Sequence, residues 1–407
     1  MSVVVRRVRR AAVAVLLPAT LVVSSAGVAS AGHTTDAPYR TVVEGLRNPR
    51  GLAFDDHRLY VAESGEAGDV CFEGIGTEEG GALCAGLSGR ISRVDTRTGA
   101  RRDVVTGLLS IGEPLFAIGA TGVVKGDDGI VGLMGGNDVG VPPADMCGGT
   151  PACRKVTQAA QKQLGHLFRS GRHGRAMWKQ DVGAFNFQWT IDNKATIGAG
   201  DPSYQPGWAD NPDFQPGDAN PYGLAGSRGG QYVVDGGSNT LTFVPRRGAP
   251  RVVAAFPNPA PGPAANAYDA VPTCVAPTKG KVVVADLNGS IYLVDGTSVT
   301  LAPSAVTSTD GSFLVAAGGC AADRKGNVYI SDIYAGSVIK LAVKTMTTSW
   351  VLPPGTLNFP SGVAVGEDNA VFVSNNSVCP SFPTPVGPDN PCGGVTGSIV
   401  KIGNHDD

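Results

Sequence analysis

Five oxygen-bearing side chains recur at one kind of place in this chain. Glu63, Asp235, Asp286, Asp332 and Asn375 each close a short apolar run, as in Val282-Val283-Val284-Ala285-Asp286 and Val328-Tyr329-Ile330-Ser331-Asp332. Carboxylate and amide oxygens gathered at one end of a set of strands would suit a hard cation of the calcium type. The same residue types also serve turns, where they accept hydrogen bonds from nearby backbone N–H groups. The metal reading requires convergence, whereas the turn reading needs only local amides and is the more economical. A sixth run ends on Met134, which interrupts the set.

Asp210-Asn211-Pro212-Asp213, running on to Asp218-Ala219-Asn220, is acidic but lacks the central Gly and terminal Glu of an EF-hand loop. A proline-stiffened turn explains it better. Trp178, Trp189 and Trp208, with Phe185, Phe187 and Tyr204, cluster in one part of the chain and could floor a glycan or apolar-ligand site. Trp178 lies in an expected strand and reads as core. Trp189 and Trp208, with Asn220, Tyr222 and Asp235, are the expected ligand-binding residues.

Nucleophilic chemistry finds no footing. There is no Gly-x-Ser-x-Gly elbow, Walker loop or Gly-x-Gly-x-x-Gly before a helix. His33 and His405 lie near the termini, His57 and His173 in turns, and His166 at the start of a strand. No catalytic residue is assigned, and the expectation is a protein that is not an enzyme.

The elements that would position these groups form a repeat. The clearest copy is Gly319-Cys320-Ala321-Ala322, then Asn327 to Asp332, then Gly336 to Leu341. Counterparts begin at Gly51, Thr121, Tyr222, Cys274 and Ser361. Each gives three strands, and most add a fourth, such as Arg251 to Phe256 or Ser349 to Leu352. Four antiparallel strands per unit make a propeller blade with the first strand at the axis. The last copy ends at Ile402 without room for a fourth strand. Arg40-Thr41-Val42-Val43-Glu44-Gly45-Leu46 matches Arg102-Asp103-Val104-Val105-Thr106-Gly107-Leu108, the expected outer strand of blade one. The fold is therefore expected to be all-β, a six-bladed β-propeller over residues 40–403, closed by its N-terminal strand so that no sheet edge is left open.

Surplus length is concentrated on one face. The second-to-third loops of blades one (64–88), two (135–163) and six (376–396), and the link 188–218, should all emerge together over neighbouring blades. Arg154 to Phe168 carries the one good helical pattern.

Arg6, Arg7, Arg9 and Arg10, an apolar stretch from Ala11 to Val23, and Ala29-Ser30-Ala31 read as a secretory signal peptide, residues 1–31. Residues 32–39 and 404–407 read as flexible ends. Without the first 31 residues the balance is 29 basic against 35 acidic side chains, or −6. That mildly acidic balance, without basic clusters in the sequence, argues against nucleic acid as a partner. No later stretch reads as a transmembrane segment, and a secreted, extracellular monomer is expected.

The eight cysteines all follow the signal peptide and none is in a Cys-x-x-Cys pair, so four disulfides are expected. Pairing within loops is simplest: Cys71 with Cys84, Cys147 with Cys153, Cys379 with Cys392. An exchange between the blade-one and blade-six loops stays open. Cys274 and Cys320 are read as equivalent inner-strand positions in adjacent blades, able to pair near the axis.

The units at 319–332 and 361–375 resemble NHL repeats. Asp218-Ala219-Asn220-Pro221-Tyr222-Gly223-Leu224, Val233-Val234-Asp235-Gly236-Gly237-Ser238-Asn239 and Asn48-Pro49-Arg50-Gly51-Leu52-Ala53 resemble the secreted ScyD/ScyE family. The resemblance spans residues 40–402. It implies an exported propeller of undefined biochemical role and supplies no catalytic residues. The resulting expectation is a binding or scaffold protein whose elaborated face recognises a protein, glycan or small ligand. The alternative is a calcium-dependent hydrolase or lactonase, with ligands among Glu63, Asp235, Asp286, Asp332 and Asn375.

Overall fold

The computed structural model describes residues 38–72, 83–112, 115–127, 129–137, 141, 144–193, 217–256, 270–296, 298–302, 316–381, 390 and 392–403. These residues form six antiparallel sheets arranged as the blades of a ring. Blade one runs Pro49–Asp55, Arg58–Glu63, Leu83–Asp95 and Arg101–Gly112, with a short extra strand, Val70–Phe72, paired to the long third one. Blade two is Ala120–Gly126, Gly129–Met134, His166–Ser170 and Ala176–Asp181. Blade three is Pro221–Ser227, Gly230–Asp235, Thr240–Pro245 and Arg251–Ala255. Blades four and five repeat that plan from Pro272–Thr278 to Ser298–Leu301 and from Ala317–Ala322 to Thr347–Leu352.

Blade six closes the ring as expected. Tyr39–Leu46 pairs with Gly397–Ile402, Tyr39 opposite Ile402 and Leu46 opposite Gly397. Val371–Asn375 and Val363–Val365 complete that sheet. The expected signal peptide and both expected flexible ends lie outside the described residues, apart from Pro38 and Tyr39.

Second strands such as Lys281–Asp286 are buried from Val282 onward because neighbouring blades cover both sides. This explains their continuous apolar runs, where a strand exposed on one face would alternate. Seven apolar clusters fill the spaces between and within blades; the one joining blades one and two includes Ile91, Leu108, Ile130 and Phe168.

The centre of the ring is built from glycine. Gly51, Gly122, Gly223, Gly319 and Gly362 occupy matching places on five inner strands. An added Cβ on Gly51 would come within 2.7 Å of the Thr121 carbonyl oxygen, and one on Gly122 within 2.6 Å of Leu224 Cβ. On Gly223 it would run into the Thr273 carbonyl, and on Gly362 into that of Arg50. Inner strands thus approach more closely than any side chain at these places allows. The space left between them, lined by Tyr222, Thr121 and Ser361 among others, is about 40 Å³.

Four disulfides form with the simplest connectivity: Cys71–Cys84, Cys147–Cys153, Cys274–Cys320 and Cys379–Cys392. The inner-strand pair needs a correction of register. Cys274 stands opposite Ala285, whereas Gly319, not Cys320, stands at the matching place opposite Ser331. The staple therefore joins positions one residue apart, with Cα atoms 5.3 Å from each other.

Two helices interrupt the blade plan. Helix α1 is Pro151–Gln163, earlier than the expected 154–168, because Thr150 caps it and Leu164 ends it before the strand at His166. Helix α2, Val182–Asp192, was not expected at all. Its Val, Phe, Trp, Thr and Ile favour strands. It forms because Asp181 accepts the Ala184 N–H at 2.8 Å as an N-cap. Its first turn then docks on Gly165, whose carbonyl accepts from Val182 and Gly183 at 3.0 and 3.1 Å.

Candidate functional site: the elaborated face

Blades six, one and two share a continuous superstructure on the face where second-to-third turns emerge. The Val378–Ser381 segment of blade six is fixed to blade one: Asn48 donates to the Cys379 carbonyl at 2.9 Å, and Glu66 accepts from both N and Oγ of Ser381 at 2.6 Å. Arg47 faces the other Glu66 oxygen at 3.5 Å. From blade two, α1 lies on blade one, burying Val156, Ala160 and Leu164. Gln163 accepts from the Leu109 N–H at 2.7 Å.

On the other side, α2 is fixed to blade three by a buried polar chain. Thr242 donates to Asn186 Oδ1 at 2.7 Å, and Asn186 Nδ2 donates to Asp235 Oδ2 at 2.7 Å. The second Asp235 oxygen accepts from the amides of Asn220, Gly237 and Ser238 at 2.7 to 3.0 Å. Burial pushes the Asp235 carboxyl above its usual range, against the pull of these donors. Asn220 Oδ1 accepts from Gly136 at 2.9 Å. Asp235 and Asn220 therefore set where α2 and the blade-three inner strand stand.

The remaining strand-end oxygens are held in their own blades. Glu63 accepts from Arg47 N–H at 2.8 Å and from Arg90 Nε at 3.2 Å, with Ser92 on its other oxygen. Asp286 accepts from the amides of Asn288 and Ser290, and Asp332 from those of Tyr334 and Ala335, at 2.8 to 3.1 Å. Asn375 Oδ1 accepts from the Asn358 amide at 2.8 Å. Met134 is fully buried. The structure does not bring these groups together: among the described residues no three His, Cys, Asp or Glu side chains form a group able to hold a metal. Burial raises the carboxyls of Asp286 and Asp332 to about 6. Asp286 Oδ2 is buried without a partner.

The aromatic expectations separate. Trp178 packs on Phe168 with ring centroids 5.3 Å apart and meets His166 edge-on, a core arrangement. Trp189 is half-buried on α2. Phe187 lies over Gly217 at the far end of the link. Tyr204, Trp208 and Asp210 to Asp213 lie outside the described residues. Tyr222 is half-buried at the axial opening, close enough for its phenol to influence that of Tyr334.

Sequence reasoning missed the exposed apolar set. Phe116 and Ile118 in the blade-one-to-two link, Met146 in the blade-two loop, Ile191 on α2, Tyr334 in the blade-five turn and Val395 in the blade-six loop are all exposed, Tyr334 by 62%. All six belong to loops that emerge on the elaborated face. The other large exposed apolar residues, Met177, Leu301 and Trp350, lie on outermost strands at the circumference. Among the described residues, none lies on the opposite face. Only the topology places these scattered positions on one face.

No protein-family model and no curated protein sequence matches the chain. Solved structures similar to it include a luciferin-regenerating enzyme, at TM-score 0.50 and 8% identity over 90% of this chain and 95% of that one. A gluconolactonase from Xanthomonas campestris follows at 0.48 and 9%, over 89% and 88%. A streptogramin B lyase gives 0.46 and 10%, over 90% and 96%. The gluconolactonase and the lyase are β-propellers. At these identities the likeness bears on the fold alone.

Proposed function

We propose that this chain is an exported, disulfide-stapled propeller that recognises a ligand through its elaborated face and performs no reaction there. The observation that carries the reading is the segregation of exposed apolar side chains to that face. Exposed apolar groups gathered on one surface and rimmed by polar loops are a mark of interaction sites. Tyr222, Tyr334 and Trp189 would supply amphipathic contacts at and beside the axial opening. Asp235 and Asn220 would act by holding α2 and the blade-three entrance in place. The apolar cast favours a protein or an apolar ligand over a charged one.

Four disulfides agree with an oxidising environment. No helix among the described residues is long and apolar enough to cross a membrane. The basic, apolar and small-residue segments of residues 1–31 support export, and the ScyD/ScyE resemblance supports an exported propeller without assigning it a role. The hydrolase alternative would need ligands that converge. The residues named for it are instead consumed by neighbouring amides, an arginine or hydroxyls.

The test is capture of partners from culture fluid and cell-surface extract on immobilised protein spanning residues 32–407. A variant combining Phe116→Ser, Ile191→Ser and Tyr334→Ser should lose partners that the parent retains, with its melting temperature within a few degrees. Arg324→Glu, on the opposite face, should keep them. An unchanged partner set in the triple variant would defeat the choice of face.

A further inference from the structure

The face opposite the loops has its own recess, between blades two and three. It measures about 340 Å³ and, among the described residues, is lined by Lys125, Arg169, Arg228 and Arg246, with Gln231 and the carboxylate of Asp127. The topology explains this convergence. Lys125 and Asp127 belong to the first-to-second turn of blade two, Arg228 to the same turn of blade three. Arg169 and Arg246 come from the ends of third strands. Residues far apart in sequence thus bring four cations to one place in a chain whose balance beyond residue 31 is acidic.

We infer that this recess is an oxyanion site that takes a phosphate or sulfate group, free or as an ester on a small polar body. Among the described residues, Lys125 pairs with Asp55 and Arg246 with Asp127. An incoming group must compete with those carboxylates. A tetrahedral oxyanion, with at least three acceptor oxygens and, as free sulfate or a phosphate monoester, up to two charges, does this better than another monocarboxylate. Arg228 is exposed and has no ion pair among the described residues, so its guanidinium fork is available to such a group. Gly126, Gly226 and Gly230 keep the walls free of side-chain bulk. The volume lies in the range of small-molecule sites.

Isothermal titration with inorganic phosphate and with a hexose 6-phosphate tests this, using acetate and chloride at matched ionic strength as controls. The parent should bind at least one of the two phosphates saturably and neither control. Equal affinity for both would identify the ion as what is read, and tighter binding of the sugar phosphate would identify the ester; both support the site. Arg228→Glu should weaken binding by about tenfold or more, the loss of one charge-assisted pair. Gly226→Leu plugs the recess without changing charge. An added Cβ there meets nothing nearer than 3.8 Å, so the fold should tolerate it while binding is lost. Arg324→Glu, on the same face in blade five, should change affinity little. Absence of saturable binding at 10-mM-order phosphate, retention in Gly226→Leu, or equal weakening by Arg324→Glu and Arg228→Glu would each overturn the inference.

Discussion

The two faces of this ring are made from the same six sheets and differ in what their turns contain. On one face, first-to-second turns are tight. Those of blades three, four and five place Gly229, Gly280 and Gly326 at φ near +90°, and cations flank them. On the other face, loops have grown into two helices, three disulfide-closed segments and six exposed apolar side chains. Tight turns leave no room for new contacts between blades, so chemistry there is limited to what side chains of adjacent turns can share. Long loops can lean on a neighbouring blade, as α1 leans on blade one. One scaffold thus carries two differently built surfaces, and changes that either spread across the ring or stay on one face test whether they are separable.

The largest expected effect comes from the staple nearest the axis. Cys274–Cys320 closes a 46-residue separation, the longest of the four. Its removal in a Cys274→Ala/Cys320→Ala variant should cost about 4 kcal/mol on the chain-entropy estimate. Removing Cys379–Cys392, with a separation of 13, should cost about 3 kcal/mol. Urea denaturation of both variants gives the comparison. The two should also differ in kind. The axial variant should lose stability for the ring as a whole, while the loop variant should leave phosphate titration on the far face unchanged. A loop variant that lost phosphate binding while still folded would show that the faces are coupled.

A smaller effect is expected at the glycine ring. Gly223→Ala forces a methyl into the Thr273 carbonyl and to 2.6 Å from Val234 Cγ2. The Thr273 carbonyl cannot retreat without shifting the inner strand of blade four, and Val234 is packed on the second strand, so about 3 kcal/mol should be lost. Gly226→Ala, three residues along the same strand, makes only ordinary contacts, none nearer than 3.8 Å, and should cost under about 1 kcal/mol. Equal thermal midpoints for the two alanine variants would contradict the close approach of strands at the axis.

The ring was legible in the sequence because its determinants are local and repeated. Apolar second strands, turn residues and the displaced match between 40–46 and 102–108 are each visible without knowing what they touch. Loop pairing of cysteines was legible for the same reason. The register of Cys320 was not, because blades four and five share one slip, at Pro272/Cys274 and Ala317/Gly319, and the two cysteines fall one residue apart relative to it. Helix α2 was hidden because tertiary contacts, from Gly165 to Val182 and from Asp235 to Asn186, override the strand preference of its own residues. The strand-end oxygens were visible as a set, but whether they converge depends on which amides each can reach. The exposed apolar residues and the cationic recess were illegible for a common reason. Each is assembled from single residues in separate blades, and none has a neighbour in sequence that marks it.

The smallest predicted effect concerns a buried charge beneath the elaborated face, at the end of a second strand. Asp286 is fully buried, two amides serve one of its oxygens, and the other has no partner. Burial raises its pKa from 3.8 to about 6, so between those values the folded state holds a proton that the unfolded state has released. Stability from this group should therefore be greatest below pH 4 and fall as pH rises to about 6, with the full penalty present above that. Asp286→Asn keeps an oxygen for the Asn288 and Ser290 amides and removes the charge. It should stabilise the protein by about 2 kcal/mol at pH 7.5 and by little at pH 4. Denaturation curves at the two pH values check this. The same curves with calcium added sharpen the comparison of faces, since a cation bound at Asp286 would stabilise the parent at pH 7.5 and leave the Asn variant unmoved. With its ligands held apart, the parent is expected to show no calcium shift. A calcium-dependent gain confined to the parent would move the elaborated face from apolar recognition towards metal chemistry.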